Sequence, residues 1–519
     1  MPASLKPLKP LEPLESFFAT PARQLGLLAL WLLATLGWRP LLVPDEGRYA
    51  EVARAMLHGR SGADWLVPTL DGLPFFHKPP LFYWLDIAAM RVLGENAFAG
   101  RFGSFVGAWL MGSALLLAMR RWHGARTAAI GLGVLATTPF FFIGAQYANH
   151  DMLVGGLIAA AVLAIARSVD EPPRVDLGWL VAGWAMCALA LLAKGLIGIV
   201  LPMLVIGPWL LAQGRWRQVI GLLHPLGLLA FAVVGLPWFV AMQLRFPGFF
   251  DYFVIEQHFR RFAQTNFNNV HGVWFFLVLV PLLSLPWSAW LPPAFKRLSA
   301  GRRDPTLTLY AWWVVAVVGF FSIPSSKLIG YVLPALAPWC ALLALAIAPP
   351  AVEGRMNLWP KVMAAAAVVC VALVAVVAWK APLSSRALAL TLGAQIGPED
   401  RVVMVDEYFY DVPFYARLSR PVVIASDWGD PELPLHDNWR KELFDAARFD
   451  PALGRTLLRP LAELEALSCG TAGSTVWFIA KPNDAARMAA LGGMRRVTTD
   501  RRAELWRVPA RACLGSEQR

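Results

Sequence analysis

Residues 177–213 read LGWLVAGWAMCALALLAKGLIGIVLPMLVIGPWLLAQ, two apolar runs separated by a single charged residue, Lys194. A transmembrane helix needs about 17–25 predominantly apolar residues, so this stretch predicts two spans, at 177–193 and 195–213. The rest of the chain has the same character, because 57% of its 519 residues are hydrophobic and only 16% are charged. Soluble globular proteins carry about 25% charged residues. The composition therefore excludes an ordinary soluble enzyme, and it equally excludes a disordered chain.

Apolar segments of this length recur through the first 380 residues. The other predicted spans lie near 25–43, 99–119, 124–145, 152–167, 220–243, 273–295, 307–323, 328–348 and 360–380. Two of the segments are short, so we expect about 11–13 transmembrane helices. The first segment is interpreted as a retained signal anchor, because no small-residue cleavage site follows it.

The net charge of +12 would suggest nucleic-acid binding in a soluble protein. Here the positions of the charges indicate topology instead. With the N-terminus inside, every short inward loop is basic, as cytoplasmic loops are. We therefore expect membrane lipids, and no nucleic acid, as partners. The basic inward residues are Arg120, Arg121, Arg126, Arg167, Arg174, Arg215, Arg217, Lys296, Arg297, Arg302, Arg303, Arg355 and Lys361.

The outward loops differ in kind, since they are long (44–98 and 244–272) or short and rich in ionisable side chains. Beyond residue 383 the composition changes, and short strands are predicted at Arg401–Val405, Pro421–Ile424, Val476–Ala480 and Glu504–Val508. Helices are predicted around Trp439–Arg448 and Ala462–Leu467. The sequence thus predicts an α-helical polytopic membrane protein, with residues 1–382 as the transmembrane domain. Residues 383–519 are predicted to form an outward-facing soluble domain of the α/β or α+β class.

Acidic and basic side chains from five separate outward loops share one membrane face. They are Asp45, Lys78, Asp151, Lys194, Arg260, Arg261 and Lys327. Several cations at the headgroup level suit a phosphate or pyrophosphate, and a carboxylate beside them suits a general base. Some of these residues also have a structural alternative: Asp45, with Glu46, could cap the following helix, and Lys78 could be an interfacial lysine before a rigid Pro-Pro turn.

Several motifs resemble those of one enzyme family. PDEGRYAEVARAMLHG at 44–59 and DWLVPTLDGLPFFHKPPLFYWL at 64–85 resemble the first outer loop of the bacterial lipid A aminoarabinose transferases. These enzymes and the protein O-mannosyltransferases are members of glycosyltransferase family 39, whose membrane fold is called GT-C. The resemblance continues in the motifs GRF (100–102), AKG (193–195), HFRRF (258–262), SSKLIGYVLP (325–334) and DEYFYDVPFYARLSRPVVI (406–424).

This resemblance implies an inverting transfer of a sugar from polyprenyl phosphate to an acceptor at the periplasmic face of the inner membrane. It implies that Asp45 is the leading catalytic carboxylate, with Asp151 as a second. Lys78 matches the lysine that holds the donor phosphate. Further residues matched to the phosphate site are Arg48, Lys194, Arg261 with its neighbour Arg260, Lys327 and, as an additional contact, Tyr331.

The chain departs from the family pattern at two positions. His77 stands where these transferases usually have Glu, and the helix after the DE motif reads Ala53-Arg54-Ala55-Met56 where AREM is common. Both changes weaken the assignment of aminoarabinose as the sugar. Relatives can bind a divalent cation, for which His77 and His258 are candidate ligands, but two scattered histidines form no metal signature.

Three functions are compatible with these features, and a fourth is disfavoured. The leading hypothesis is a glycosyltransferase acting on lipid A or another envelope glycan, and the second is a protein O-mannosyltransferase-like enzyme. A lipid transporter or flippase would use the outward charges as a headgroup vestibule, but no paired inverted repeat is visible. The density of motifs argues against the fourth function, a receptor or scaffold built around the outward domain. Of the five cysteines, Cys469 and Cys513 lie in the outward domain, where a disulfide and two free thiols are both compatible with the sequence.

Overall fold

The computed structural model describes residues 20–59, 64–260, 269–301, 303–348, 358–380, 383–469 and 473–509. A bundle of apolar helices forms its larger part, and a mixed sheet with flanking helices lies at one end of the bundle. That end also carries the loops predicted to face outward, and we call it the site end.

Every predicted span coincides with a helix in the described chain. The bundle helices are α1 (Pro21–Leu33), α2 (Asp45–Leu57), α3 (Leu81–Leu93), α4 (Phe102–His123), α5 (Ala125–Ala136), α6 (Pro139–Ala145), α7 (His150–Ser168), α8 (Leu177–Lys194), α9 (Ile197–Ala212), α10 (Trp216–Gly221), α11 (Pro225–Arg245), α12 (Phe275–Leu283), α13 (Leu291–Ala300), α14 (Pro305–Ser322), α15 (Leu336–Ile347) and α16 (Leu358–Lys380). A π-helical segment covers Asp251–Arg260, and a 3₁₀ segment, Ile329–Ala335, leads into α15.

Fewer helices than predicted are long and apolar enough to cross a membrane unbroken. Within the described ranges there are seven, or up to nine if each of two bent pairs is one span. The pair α5–α6 bends by 66° and the pair formed by α12 and Trp287–Ala300 bends by 104°. Two further predicted spans correspond to the short helices α1 and α9. Hydropathy locates apolar segments, but it does not show where a backbone breaks inside one.

The central helix of the bundle is α7, the most deeply buried of the candidate spans. It packs against α4 without side chains between the two backbones, because a Cβ at Gly156 would collide with the Gly107 backbone. Glycine is the residue that permits such close helix packing. This contact fixes the start of α7, where His150 and Asp151 lie, against the start of α4.

The C-terminal region forms a six-stranded sheet in the order β5-β4-β3-β6-β8-β7. Strands β3, β4, β5 and β6 are parallel to one another, and β8 pairs antiparallel with β6 and β7. The strands are β3 (Arg401–Val405), β4 (Val423–Ser426), β5 (Leu458–Pro460), β6 (Thr475–Ala480), β7 (Arg495–Thr499) and β8 (Glu504–Pro509), after a small hairpin of β1 (Thr69–Leu70) and β2 (Leu73–Pro74) in the first loop. The helices here are α17 (Arg386–Gly393), α18 (Val412–Ala416), α19 (Trp439–Ala447), α20 (Pro451–Leu457) and α21 (Ala485–Ala490).

The predicted C-terminal elements are confirmed in four strands and one helix, and wrong in two respects. The predicted helix at Ala462–Leu467 is two 3₁₀ turns, Leu461–Glu463 and Ala466–Ser468. Strands β5 and β7 were not predicted, because one has three residues and the other, RRVTT, is largely polar. Cys469 is disulfide-bonded, which excludes a free thiol there, and Cys513 lies outside the described residues.

The sheet region shares its core with the bundle. One hydrophobic cluster contains bundle residues such as Tyr49 and Phe82 together with Tyr408, Phe414 and Leu443 from the C-terminal region. Tyr415 on α18 accepts a hydrogen bond from the Leu41 amide at 2.7 Å. The C-terminal region is therefore held firmly over the site end. The division into domains at residue 382 stays a prediction.

Candidate functional site at the end of the bundle

The first turn of α2 places two neighbouring carboxylates in different environments. Asp45, the first residue of the helix, is 31% exposed, whereas the Glu46 side chain is fully buried. Asp45 forms an ion pair with Arg48 in the next turn, and the Tyr147 hydroxyl lies 3.5 Å from its Oδ2. Asp45 is thus an accessible carboxylate held beside a cation.

Glu46 has a structural role. Its carboxylate accepts hydrogen bonds from Arg101 Nε at 2.8 Å, from Arg39 Nη2 at 3.0 Å and from the Ala148 amide at 2.8 Å. Burial opposes its ionisation, but Arg101 and Arg39 outweigh the burial and lower the pKa of Glu46 to about 2. The cluster ties α2 to the GRF motif and to the segment before α7, so it fixes the position of Asp45.

Three predicted cations lie within electrostatic range of one buried histidine. His150, at the start of α7, is fully buried between the rings of Tyr49, Phe82 and Tyr83, with centroid distances of 4.6, 4.6 and 5.2 Å. Lys78, Lys194 and Arg48 all act electrostatically on its imidazole. The structure therefore brings together residues that are separated by up to 146 positions in the chain.

Asp151 and Lys194 form an ion pair next to the start of α7. The Lys194 ammonium also lies 4.7 Å from the centroid of the Tyr331 ring. Gly330 packs against the Asp151 carboxylate so closely that a Cβ there would collide with it. Asn149 caps α7 by accepting a hydrogen bond from the Asp151 amide at 3.0 Å, as its position before the span suggests.

Lys327 lies apart from these contacts. Its ammonium donates hydrogen bonds to the carbonyls of His271, at 2.9 Å, and Pro324. Burial lowers its pKa. These bonds join the segment before α12 to the loop before Ile329, and the predicted phosphate contact of Lys327 stays a prediction. Arg261 lies outside the described residues, as do the side chains of Arg260 and His258.

Sequence reasoning missed the contribution of the C-terminal region to the site. Glu442 on α19 forms an ion pair with Arg48 and accepts a hydrogen bond from the Tyr410 hydroxyl at 2.5 Å. Burial disfavours the charged form of Arg48, but Glu442, Tyr49 and Asp45 outweigh it and raise its pKa. The only hint in the sequence was that Tyr410 belongs to the DEYFYDVPFYARLSRPVVI motif.

The long 244–272 loop also meets α19. Glu256 lies 3.7 Å from the Lys441 ammonium, and the Tyr252 hydroxyl lies 3.5 Å from Asp445 Oδ2. His77 stacks on Phe75 with ring centroids 4.5 Å apart and faces Tyr252 at 6.0 Å. Within the described part of the chain, no three His, Cys, Asp or Glu side chains are grouped so that they could hold a metal ion.

Comparison with known proteins agrees with the motifs. The family model described as dolichyl-phosphate-mannose-protein mannosyltransferase matches residues 77–240. An undecaprenyl phosphate-alpha-4-amino-4-deoxy-L-arabinose arabinosyl transferase of Pseudomonas aeruginosa is 34% identical over 321 residues, which are 61% of this chain and 58% of that protein. The transferase of the same name from Aeromonas salmonicida is 35% identical over 67% of this chain and 64% of its own length. The chain spans about three fifths of the length of the curated relatives it matches.

Solved structures extend the likeness over almost the whole fold. ArnT from Cupriavidus metallidurans bound to undecaprenyl phosphate superposes with a TM-score of 0.82 at 24% identity, over 96% of this chain and 98% of that one. The archaeal oligosaccharyltransferase AglB from Archaeoglobus fulgidus gives a TM-score of 0.51 at 13% identity, over 90% and 70%. The chain is an integral membrane protein with the GT-C fold, and its predicted resemblance to the aminoarabinose branch of the PMT-type glycosyltransferases is confirmed.

Proposed function

We propose that this chain is an inverting glycosyltransferase that moves a sugar from an undecaprenyl phosphate donor to lipid A. The observation that carries the proposal is the grouping of Arg48, Lys78 and Lys194 around the start of α7, beside the accessible carboxylate of Asp45. A lipid-linked phosphate needs neutralisation as it leaves, and several fixed cations supply it. The arabinosyl transferases that resemble this chain are named for such a donor.

In the proposed reaction an acceptor oxygen attacks the anomeric carbon of the donor. The new carbon–oxygen bond forms as the bond to the donor phosphate breaks, and undecaprenyl phosphate leaves with both electrons of that bond. When the acceptor is a hydroxyl, Asp45 takes its proton. Lys78 and Arg48 hold the phosphate, while Asp151 positions the ammonium of Lys194.

We further propose that the site end faces the periplasm from the inner membrane. The basic loops gather at the opposite end, as the positive-inside rule expects of cytoplasmic loops. The disulfide at Cys469 suits an oxidising compartment. Labelling of single cysteines by a membrane-impermeant maleimide in intact cells tests this orientation. Labelling of a cysteine in the loop at 213–216 would contradict it.

A second candidate is a protein O-mannosyltransferase-like activity, which the family match over residues 77–240 favours. A transfer assay distinguishes the two. The protein is reconstituted in nanodiscs with an undecaprenyl phosphate-linked sugar, either 4-amino-4-deoxy-L-arabinose or mannose, and with either lipid A or an unmodified periplasmic protein. The products are identified by mass spectrometry. Sugar on lipid A supports the leading proposal, and sugar on protein alone supports the second.

Variants test the assigned roles in the same assay. Asp45→Asn should abolish transfer while leaving donor binding intact, and Lys78→Ala should weaken donor binding by tenfold or more, about 1.4 kcal/mol or more. Glu399→Gln removes an exposed carboxylate of the C-terminal region and serves as the control. Normal transfer by Asp45→Asn would refute its role as the base. Donor movement across the membrane without any transfer would favour a flippase.

A further inference from the structure

A groove begins at the junction of the C-terminal region with the bundle and continues along the C-terminal region. One part, a cavity of about 400 Å³, lies between residues 37–40 and 95–98 on the bundle side and helices α17 and α18. It adjoins a second cavity of about 710 Å³, which extends along the loop before β3. Leu390, Tyr415 and Arg417 line both parts, so the two form one continuous groove.

The lining of the groove is rich in arginine. Arg386, Arg401 and Arg417 line it with exposed side chains, and none of the three forms an ion pair with a described residue. The Arg386 guanidinium lies 5.6 Å from the centroid of the Tyr415 ring, which holds it over the groove.

The acidic side chains along the groove are fewer than the arginines, because three carboxylates, Glu95, Glu399 and Asp400, line it against five arginines. Asp400 accepts hydrogen bonds from the Thr475 amide and from Trp477 Nε1, at 2.8 and 2.9 Å. Glu399 forms an ion pair with Arg420 at 3.1 Å, and Glu95 Oε1 lies 2.5 Å from His58 Nε2. The groove therefore presents a net positive surface.

The backbone at Arg417 is unusual for an arginine. This residue ends α18 with φ of +53° and ψ of +45°, in the left-handed region. Glycine or asparagine usually takes this position at a helix end, because a larger side chain crowds the following carbonyl there. A long cationic side chain thus lines the groove from a backbone position that suits glycine.

The groove borders the end of a candidate membrane span. Its bundle wall includes residues 95–98, which come directly before the span that begins at Ala99, and residues 37–40, which follow the shorter apolar helix α1. Trp38 and Trp379 are 54% and 83% exposed at this end of the bundle, as tryptophans are at a membrane interface. Val92 and Leu93, which end α3 just before the lining residues 95–98, expose apolar side chains that suit contact with acyl chains.

From these features we infer that the groove binds the phosphate headgroup of an anionic phospholipid from the leaflet on the site side. Guanidinium groups bind phosphate through paired, charge-assisted hydrogen bonds, and Arg386 and Arg417 supply two of them. The bound lipid fastens the C-terminal region to the membrane while that region supplies Glu442 to the site. This inference does not depend on which sugar or acceptor the site uses.

Native mass spectrometry of the full-length protein tests the inference without any transfer assay. The protein is released from nanodiscs that contain phosphatidylcholine with or without phosphatidylglycerol, and the phospholipid that stays bound is counted. The double variant Arg386→Gln, Arg417→Gly should retain at least about tenfold less phosphatidylglycerol than the wild type. Glycine relieves the left-handed backbone at position 417, so a folding defect is not expected to cause the loss.

The matched control is Arg455→Gln, Arg495→Gln, which removes two exposed arginines from the same region outside the groove. It should retain phosphatidylglycerol as the wild type does. Equal retention by the groove variant and the wild type, or equal loss in the control, would overturn the inference. A wild-type protein that retains no phosphatidylglycerol would also overturn it.

Discussion

Glu442 of the C-terminal region forms an ion pair with Arg48, and the same guanidinium pairs with Asp45 one turn earlier on α2. The two carboxylates are separated by almost 400 residues in the chain, yet one cation joins them. The C-terminal region is thus connected to the proposed base through a single side chain.

Removal of this link should slow transfer. With Glu442→Gln the Arg48 charge loses its buried partner and is free to bind Asp45 alone, which restrains the base. We expect kcat to fall about tenfold, or ~1.4 kcal/mol of barrier, with a smaller change in KM for the donor. Glu442→Asp should restore part of the rate, and Glu432→Gln, at an exposed ion pair, is the control. An unchanged kcat in Glu442→Gln would show that Arg48 does not need this partner.

Glu46 should stabilise the fold in a pH-dependent way. Its pKa is about 2 in the folded protein and about 4.5 ordinarily, so its contribution is complete above pH 4.5 and is lost as pH falls toward 2. The shift corresponds to about 3 kcal/mol. We expect Glu46→Gln to lower the free energy of unfolding by about 3–5 kcal/mol at pH 7, and the gap from the wild type to narrow at pH 3. Thermal unfolding in detergent at pH 7 and at pH 3 measures the difference in stability between the wild type and Glu46→Gln. An equal difference at both pH values would contradict the lowered pKa of Glu46.

Asp71 should have the opposite pH dependence. It accepts a hydrogen bond from the Val422 amide at 2.8 Å, and burial raises its pKa to about 8 despite that bond. Because the folded carboxyl keeps its proton up to about pH 8 while the unfolded one loses it near pH 4, stability falls as pH rises between these values. Asp71→Asn keeps the acceptor oxygen and suits the left-handed φ of +52°. Its melting temperature should exceed that of the wild type by a margin that grows from pH 5 to pH 8, whereas parallel curves would argue against a buried, neutral Asp71.

Gly330 should be essential to the position of Asp151. A Cβ at this position would collide with the Asp151 carboxylate and displace it from Lys194. We expect Gly330→Ala to reduce transfer by tenfold or more, about 1.4 kcal/mol of barrier, with little change in melting temperature. Gly319→Ala, on α14, meets no atom within 4 Å and is the matched control. If Gly330→Ala transferred sugar at the wild-type rate, the roles proposed for Asp151 and Lys194 would be wrong.

The sequence was informative where local pattern determines structure. Apolar length placed a helix in each predicted span, and alternation and composition located β3, β6 and β8 to within a residue or two. It was uninformative where a segment is short or bends. The breaks in α5–α6 and before Trp287 lie inside continuous apolar runs, and a strand as short as β5 forms only because β4 is present beside it.

For the candidate site, the sequence alone determined which residues are chemically suited to it and, through the sidedness of charge, that they share one membrane face. The tertiary structure decided which of them meet. It separated Asp45, accessible beside Arg48, from Glu46, buried between two arginines, although the two are adjacent in the chain. The tertiary structure also places Glu442 at the site, and no local sequence pattern indicates that residue. Hydropathy and charge can be read from the sequence, and they determine which segments span the membrane and which loops face each side. Contacts between distant segments depend on how the helices pack, and the close packing of α4 on α7 exists only in the folded bundle.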